Sequence, residues 1–212
     1  MLNVILALLI YGVFHSLTAA IGFKALMAAV MGERGYLGLY RLFYNTISVI
    51  TLLPVLVLVA AKPGDTVWSL DGIPALFFRF TQVVGLLGLT VSFLQIDGSR
   101  FLGLKQMAVY FSGGKLPLPP EPMVFNGLYA ITRHPLYLFS MLVLWFQPQM
   151  NEALFGFNIG ATIYFCLGSL VEERKLLRAF GADYVNYRRR VAWMIPFLRI
   201  PARSKTPEEI PS

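Results

Sequence analysis

The stretch Ala153-Leu-Phe-Gly-Phe-Asn-Ile-Gly-Ala-Thr-Ile-Tyr-Phe-Cys-Leu-Gly-Ser-Leu-Val-Glu-Glu173 runs nineteen residues without a formal charge and then closes on two glutamates. That length is what a helix needs to cross the hydrocarbon core, where each backbone amide must find its partner within its own segment. Working outward, three more runs have the same character: Leu2 to about Val30, Leu42 to Ala61 and Leu76 to Ile96. A fifth, Leu136 to Phe146, is apolar but short, and is expected to be a tilted or short span. Over 212 residues the chain is 57% hydrophobic and 14% charged, with mean hydropathy +0.64. These values exclude the charged skin of a soluble domain. The N-terminal run has no charged start and no small-residue cleavage site, so it is expected to persist as a mature helix. Cys166 is the only cysteine, which excludes an intramolecular disulfide and a cysteine metal cluster.

A net charge of +7 and a pI near 9.7 would suit a nucleic-acid partner, but their distribution fits the positive-inside rule better. Arg34 and Arg41 follow the first run; Arg100, Lys105, Lys115 and Arg133 lie in the third loop; Arg174, Lys175, Arg178 and Arg188 to Arg190 follow the last. The intervening loops are balanced or lack cations. Basic excess alternates as five crossings require, with the N-terminus outside and the tail in the cytoplasm of a bacterial cell. The expected partners are therefore the lipid bilayer and a lipophilic acceptor, with no nucleic acid.

The pattern predicts an all-α integral membrane protein of about five transmembrane helices, with a helical hairpin and a C-terminal cytoplasmic amphipathic helix. Residues 1–96 form a three-helix membrane region expected to meet substrate. Residues 97–203 form the cofactor-side region, and 204–212, with two prolines and two glutamates, a disordered tail. The loop 97–132 is long enough to be functional, and Gly103 to Phe111 within it reads as a short interfacial helix. After the last run, Glu172, Leu176 and Phe180 share one helical face, Gly181 is a C-cap, and Asp183 to Arg190 is a basic amphipathic segment.

Two places carry chemistry. Pro135 suits the first position of a helix, and Arg133 and His134 before it would join the free amides there in an anion-binding entrance. The acids Glu172 and Glu173 close the next helix on the same side of the membrane. A ligand with both a carboxylate and cationic or hydroxyl groups would fit between them.

Gly127-Leu-Tyr-x-x-x-Arg-His-Pro-x-Tyr137, then Glu172-Glu-x-x-Leu-x-x-x-Phe-Gly-x-x-Tyr-x-x-Tyr187, then Val191-x-x-x-Ile-Pro196, resembles the integral-membrane methyltransferases related to isoprenylcysteine carboxyl methyltransferase and phospholipid methyltransferases. The resemblance covers about the last 80 residues and implies a pocket for S-adenosylmethionine. It places Asn126, Gly127, Leu128, Tyr129, His134, Tyr137 and Glu172 at the cofactor, where the entrance read above adds Arg133 and Pro135; a thiol or amine acceptor would need a base, for which Glu173 or His134 is the candidate. In the carboxyl-methylating branch an arginine stands four residues before the paired acids, where this chain has Gly168. His15-Ser-Leu-Thr-Ala, Tyr40-Arg-Leu-Phe-Tyr-Asn45 and Phe101-Leu-Gly-Leu-Lys-Gln106 are similar to the NnrU-like and methanethiol S-methyltransferase-like branch. His15, as an ionisable residue within a span, is a substrate-side candidate, as are Tyr44 and Asn45, which read otherwise as packing or helix-bridging groups; that likeness and Gly168 together imply a small hydrophobic thiol or a lipid as acceptor. His15 also has a structural reading, bonded between helices to Ser48 or Asn45. Carboxyl or phospholipid-amine methylation, and a non-catalytic membrane protein or transporter, remain as rivals. Methyl transfer of this kind calls for no metal.

Overall fold

The computed structural model describes residues 1–196, so the expected disordered tail at 204–212 lies outside the described residues. The chain folds into helices α1 (Leu2–Ala19), α2 (Ile21–Ala61), α3 (Gly72–Leu94), α4 (Gly98–Leu102), α5 (Leu104–Phe111), α6 (Pro135–Trp145) and α7 (Glu152–Arg190). A two-stranded antiparallel ribbon, β1 (Thr66–Ser69) with β2 (Gln149–Asn151), and a 3-10 turn at Gly127–Ala130 complete it. Four helices, α1, α2, α3 and α7, are long and apolar enough to cross a membrane, and α6 is a shorter apolar helix.

The ends of the bundle are identified by their contacts. At one end the Met1 ammonium lies 3.8 Å from Glu152, β1 pairs with β2, and Glu152 N–H donates to Asp65 O. At the other, Arg34 donates to the carbonyls of Gly114 and Tyr110, while Arg41 and Asn45 donate to Phe101 O. Twenty residues of helix separate Glu152 from Glu172, about 30 Å at the helical rise, which is the thickness of a hydrocarbon core. The chain passes five times between these ends, so Met1 and Arg190 lie at opposite ones.

The first apolar run does not continue to Val30 as one helix. It stops at Ala19, Ala20 turns extended (ψ 150°), and Ile21 opens a second helix that breaks again at Gly32. Apolarity records no direction, so a corner within an apolar run leaves no mark in composition. The interfacial helix expected over Gly103 to Phe111 is present as α5. Gly181 ends the straight part of α7 as expected, at φ +51°, a conformation that L side chains rarely adopt. The helix resumes beyond it to Arg190.

The short α6 stops within the bundle, where its free carbonyls would be costly in lipid. Two of them accept from side-chain amides: Gln82 Nε2 donates to Val143 O at 3.1 Å and Asn158 Nδ2 to Leu144 O at 2.7 Å. Trp145 Nε1 donates to Thr162 Oγ1 just beyond. Gly85 and Gly88 of α3 let α6 approach closely, since a methyl group at Gly88 would enter the Phe139 ring. Small residues serve this purpose where lipid offers helices no hydrophobic drive to associate.

Candidate active site

α6 begins where α7 turns polar. His134 is buried, with Nδ1 at 3.8 Å from Glu172 Oε2 and Nε2 at 3.5 Å from Glu173 Oε1, neither close enough for a good hydrogen bond. One turn along α6, the Tyr137 hydroxyl donates to Glu172 Oε2 at 3.1 Å. The rings of His134, Tyr137 and Phe165 follow one another at 5.5 and 5.4 Å between centroids. Glu172 remains 48% exposed, whereas the Glu173 side chain is 7% exposed.

That difference separates the two acids. Glu173 Oε1 accepts from Arg133 Nε at 2.6 Å, and its Oε2 lies 3.5 Å from Arg188 Nε. A buried carboxylate held by two guanidinium groups is compensated in charge and committed in geometry. Arg133 also donates to Val191 O at 2.7 Å and Arg188 O at 3.2 Å, so it ties α6 to the end of α7. Arg133 N–H donates to Ala192 O, and Thr132 Oγ1 to Met194 O at 2.8 Å. The segment after α7 therefore straps the 129–133 loop in place.

The Asn126–Tyr129 loop is clamped from two sides. Tyr187 hydroxyl donates to Tyr129 O at 2.6 Å, and Gln95 Oε1 accepts from Leu128 N–H at 3.1 Å. Gly127 has φ +58°, and the Gln95 amide fills the space a side chain there would need. Glycine is required on both counts. Burial, with the Glu172 charge adding to it, pushes the Tyr129 phenol up to about 12. It stays protonated at neutral pH and offers a ring face and a hydroxyl, not a base.

The residues expected on the substrate side lie elsewhere. His15 Nδ1 is 2.8 Å from Ser48 Oγ and Nε2 is 2.6 Å from the Tyr44 hydroxyl, so of the two partners read from sequence Ser48 is the one used. Asn45 turns away and donates to Phe101 O and Leu102 O, both at 3.0 Å. A cavity of about 790 Å³ lies between α1, α6 and α7, touched by Leu52 of α2 and Leu89 of α3, with Tyr11, Gly12, Ser140, Tyr164 and Phe165 in its wall. Phe165 joins this cavity to Tyr137 and so to Glu172. Sequence reasoning missed Gln95 and the carbonyls of Val191 to Met194. Neither carries a local signal, because both act through contacts distant in sequence.

No family model matches the chain, and no solved structure matches it significantly. Among characterised proteins it is 32% identical over 203 residues to methanethiol S-methyltransferase 2 of Bradyrhizobium diazoefficiens, across 95% of this chain and 74% of that protein. It is 33% identical over 138 residues to methanethiol S-methyltransferase of Crocosphaera subtropica, across 64% of this chain and 52% of that protein. Against the Mycobacterium tuberculosis enzyme of the same name it is 30% identical over 141 residues, 61% of this chain and 57% of that one. The second and third matches thus take in little more than half of those relatives. With identity extending along nearly the whole chain in the first, and a helical membrane bundle around it, the chain belongs to the methanethiol S-methyltransferase family of membrane methyltransferases.

Proposed function

We propose that the chain transfers a methyl group from S-adenosylmethionine to a small hydrophobic thiol, of which the methanethiol in its relatives' names is the simplest. The observation that carries this reading is the meeting of α6 and α7, with Tyr137 on Glu172 at 3.1 Å and the Tyr137 ring stacked on Phe165 of the cavity wall. A polar cofactor edge and an apolar acceptor space thereby share one aromatic wall.

The residues fit an adenosyl sulfonium. Glu172 is half exposed and spends one oxygen on Tyr137, leaving the other for ribose hydroxyls. The faces of Tyr129 and Tyr137 suit a sulfonium by cation–π attraction. His134 Nε2 is buried without a hydrogen-bond partner among the described residues, and Asn126, Gly127 and Leu128 supply the loop around the nucleoside. Arg133 and Pro135 fix the entrance to α6, and Glu173 holds Arg133 there. The bound donor supplies a methyl group on a positively charged sulfur. The chain's own residues align the acceptor with it and keep water out, which is where positioning and a dry site accelerate such a displacement. Gly168 leaves open the space beside the Tyr137 hydroxyl, and among the described residues no cation stands there to hold a carboxylate, which favours a neutral acceptor. The basic end of the bundle, with the site, faces the cytoplasm, where the soluble cofactor arrives.

The test is incubation of the purified protein in nanodiscs with radiolabelled donor and methanethiol. Labelled dimethyl sulfide in the headspace is expected; none with methanethiol or longer alkanethiols overturns the reading.

A further inference from the structure

His15 is held in one tautomer. The Ser48 hydroxyl spends its single proton on Tyr44 O at 2.7 Å, so it can only accept from His15 Nδ1 at 2.8 Å. In a neutral imidazole Nδ1 then carries the hydrogen and Nε2 is bare. The Tyr44 hydroxyl, 2.6 Å from Nε2, donates into it. The ring is thus a base whose lone pair is aimed at a phenol, half-buried between α1 and α2. Other phenols surround it: Tyr11 of α1 stacks at 5.5 Å between centroids, Tyr164 of α7 sits edge-on at 5.8 Å, and Tyr40 of α2 lies 6.4 Å from Tyr44. None of these groups carries a charge at neutral pH, so no ion pair explains the histidine's presence. An ionisable residue retained at membrane depth marks function by default.

Its position suits the acceptor. Tyr11 and Tyr164, two of the three rings packed on His15, line the apolar cavity. On α7, Tyr164, Gly168 and Glu172 fall at intervals of four on one face, so Tyr164 stands about 12 Å along the helix from the cofactor acid. Gly168, midway, has only the Tyr137 hydroxyl near it, 3.6 Å from where a methyl group would sit. A thiol sulfur at the level of Gly168 lies between the donor site and the His15 cluster.

We propose that Tyr44 and His15 form the relay that takes the proton from the acceptor thiol. This rests on the thiol-transfer reading above. A thiol in an apolar cavity ionises less readily than in water, and the thiolate is the nucleophile, so a base is needed where the sulfur sits. Glu173 is spent on Arg133 and Arg188. The S–H bond breaks as its proton passes to Tyr44 Oη, whose own proton moves to His15 Nε2. The electron pair left on sulfur forms the bond to the methyl carbon, and the electrons of the old carbon–sulfur bond stay with the donor. The imidazolium loses its proton once product leaves, restoring the starting tautomer.

The test uses the full chain in nanodiscs, with Tyr44→Phe and His15→Gln as variants. Calorimetric titration with S-adenosylhomocysteine should be unchanged in both, certifying their fold. With an alkanethiol both should fall about 10²–10⁴-fold at neutral pH and recover roughly tenfold per pH unit towards the thiol's own ionisation. With thiophenol, already largely ionised at neutral pH, they should lose less than about tenfold. Equal losses with both acceptors, or no loss with either, overturn the relay while leaving methyl transfer intact. A wild-type protein that methylates neither thiol overturns both. Independently of turnover, the chain's two histidines give two ¹⁵N-labelled imidazoles, told apart by His134→Gln. His15 should show a protonated Nδ1 and a bare Nε2, and the opposite tautomer overturns the relay.

Discussion

The Tyr137 hydroxyl donates to Glu172 Oε2 at 3.1 Å, joining the first turn of α6 to the point where α7 leaves the membrane. This bond holds the carboxylate against an aromatic face, and in the proposed reading that acid would serve a ligand's hydroxyls and that ring its cation. Tyr137→Phe should weaken S-adenosylhomocysteine binding by about 1 kcal/mol, roughly fivefold. Glu172→Ala, which removes the acceptor itself, should cost about 2 kcal/mol or more. Calorimetric titration measures both, and a larger loss in Tyr137→Phe than in Glu172→Ala would contradict the arrangement.

Glu173 and Arg133 are 7% and 10% exposed and 2.6 Å apart. Truncating Glu173 to alanine strands a buried guanidinium and should destabilise the protein by about 3–5 kcal/mol. Pairing it with Arg133→Met should recover a good part of that loss, since the double change leaves no unpaired charge. Thermal unfolding in detergent reads both, and additive losses would show that the two side chains do not act as a pair.

Asn158 is fully buried and caps Leu144 O, and its replacement by leucine keeps volume but removes the donor. The expected cost is about 1–3 kcal/mol, the penalty for an unsatisfied buried carbonyl. Affinity for S-adenosylhomocysteine should stay within about twofold, because the change lies at the far end of α6 from His134. A melting curve with a titration alongside separates the two effects.

Gly127→Ala meets the Gln95 amide and a positive φ together. Displacement of the Leu128 loop should weaken cofactor-product binding by roughly tenfold or more. Gln95→Ala should lower affinity less, since it frees the loop without pushing it. An alanine at 127 with wild-type affinity would show that the loop takes no part in binding.

Much of this architecture can be read from residues alone, for a stated reason. Five apolar runs, paired acids after the last and basic residues at alternate ends follow from what a bilayer permits. That His15 bonds between helices was legible, with Ser48 or Asn45 as partner, because an intramembrane imidazole must find a polar group; the second bond, to Tyr44, was not. The corner at Ala20 was not legible, because an apolar run looks alike whether straight or bent. Nor was the termination of α6 by Gln82 and Asn158, or the clamp on Leu128 by Gln95, since each joins residues far apart in sequence. Arg133, His134, Glu172 and Glu173 were singled out together. Only their burial separates the acid left open to solvent from the acid holding an arginine.

The partners of the Arg133 guanidinium are Glu173, Arg188 and Val191. All of them follow the last apolar run in the chain, so during synthesis every membrane pass has left the ribosome before this cation has anything to grip. Insertion and maturation are thus separate events: a nascent chain can be fully threaded through the bilayer while the 129–133 loop, held at Leu128 by Gln95, still lacks its strap. Competence arrives only with the final residues of α7 and the strap behind them.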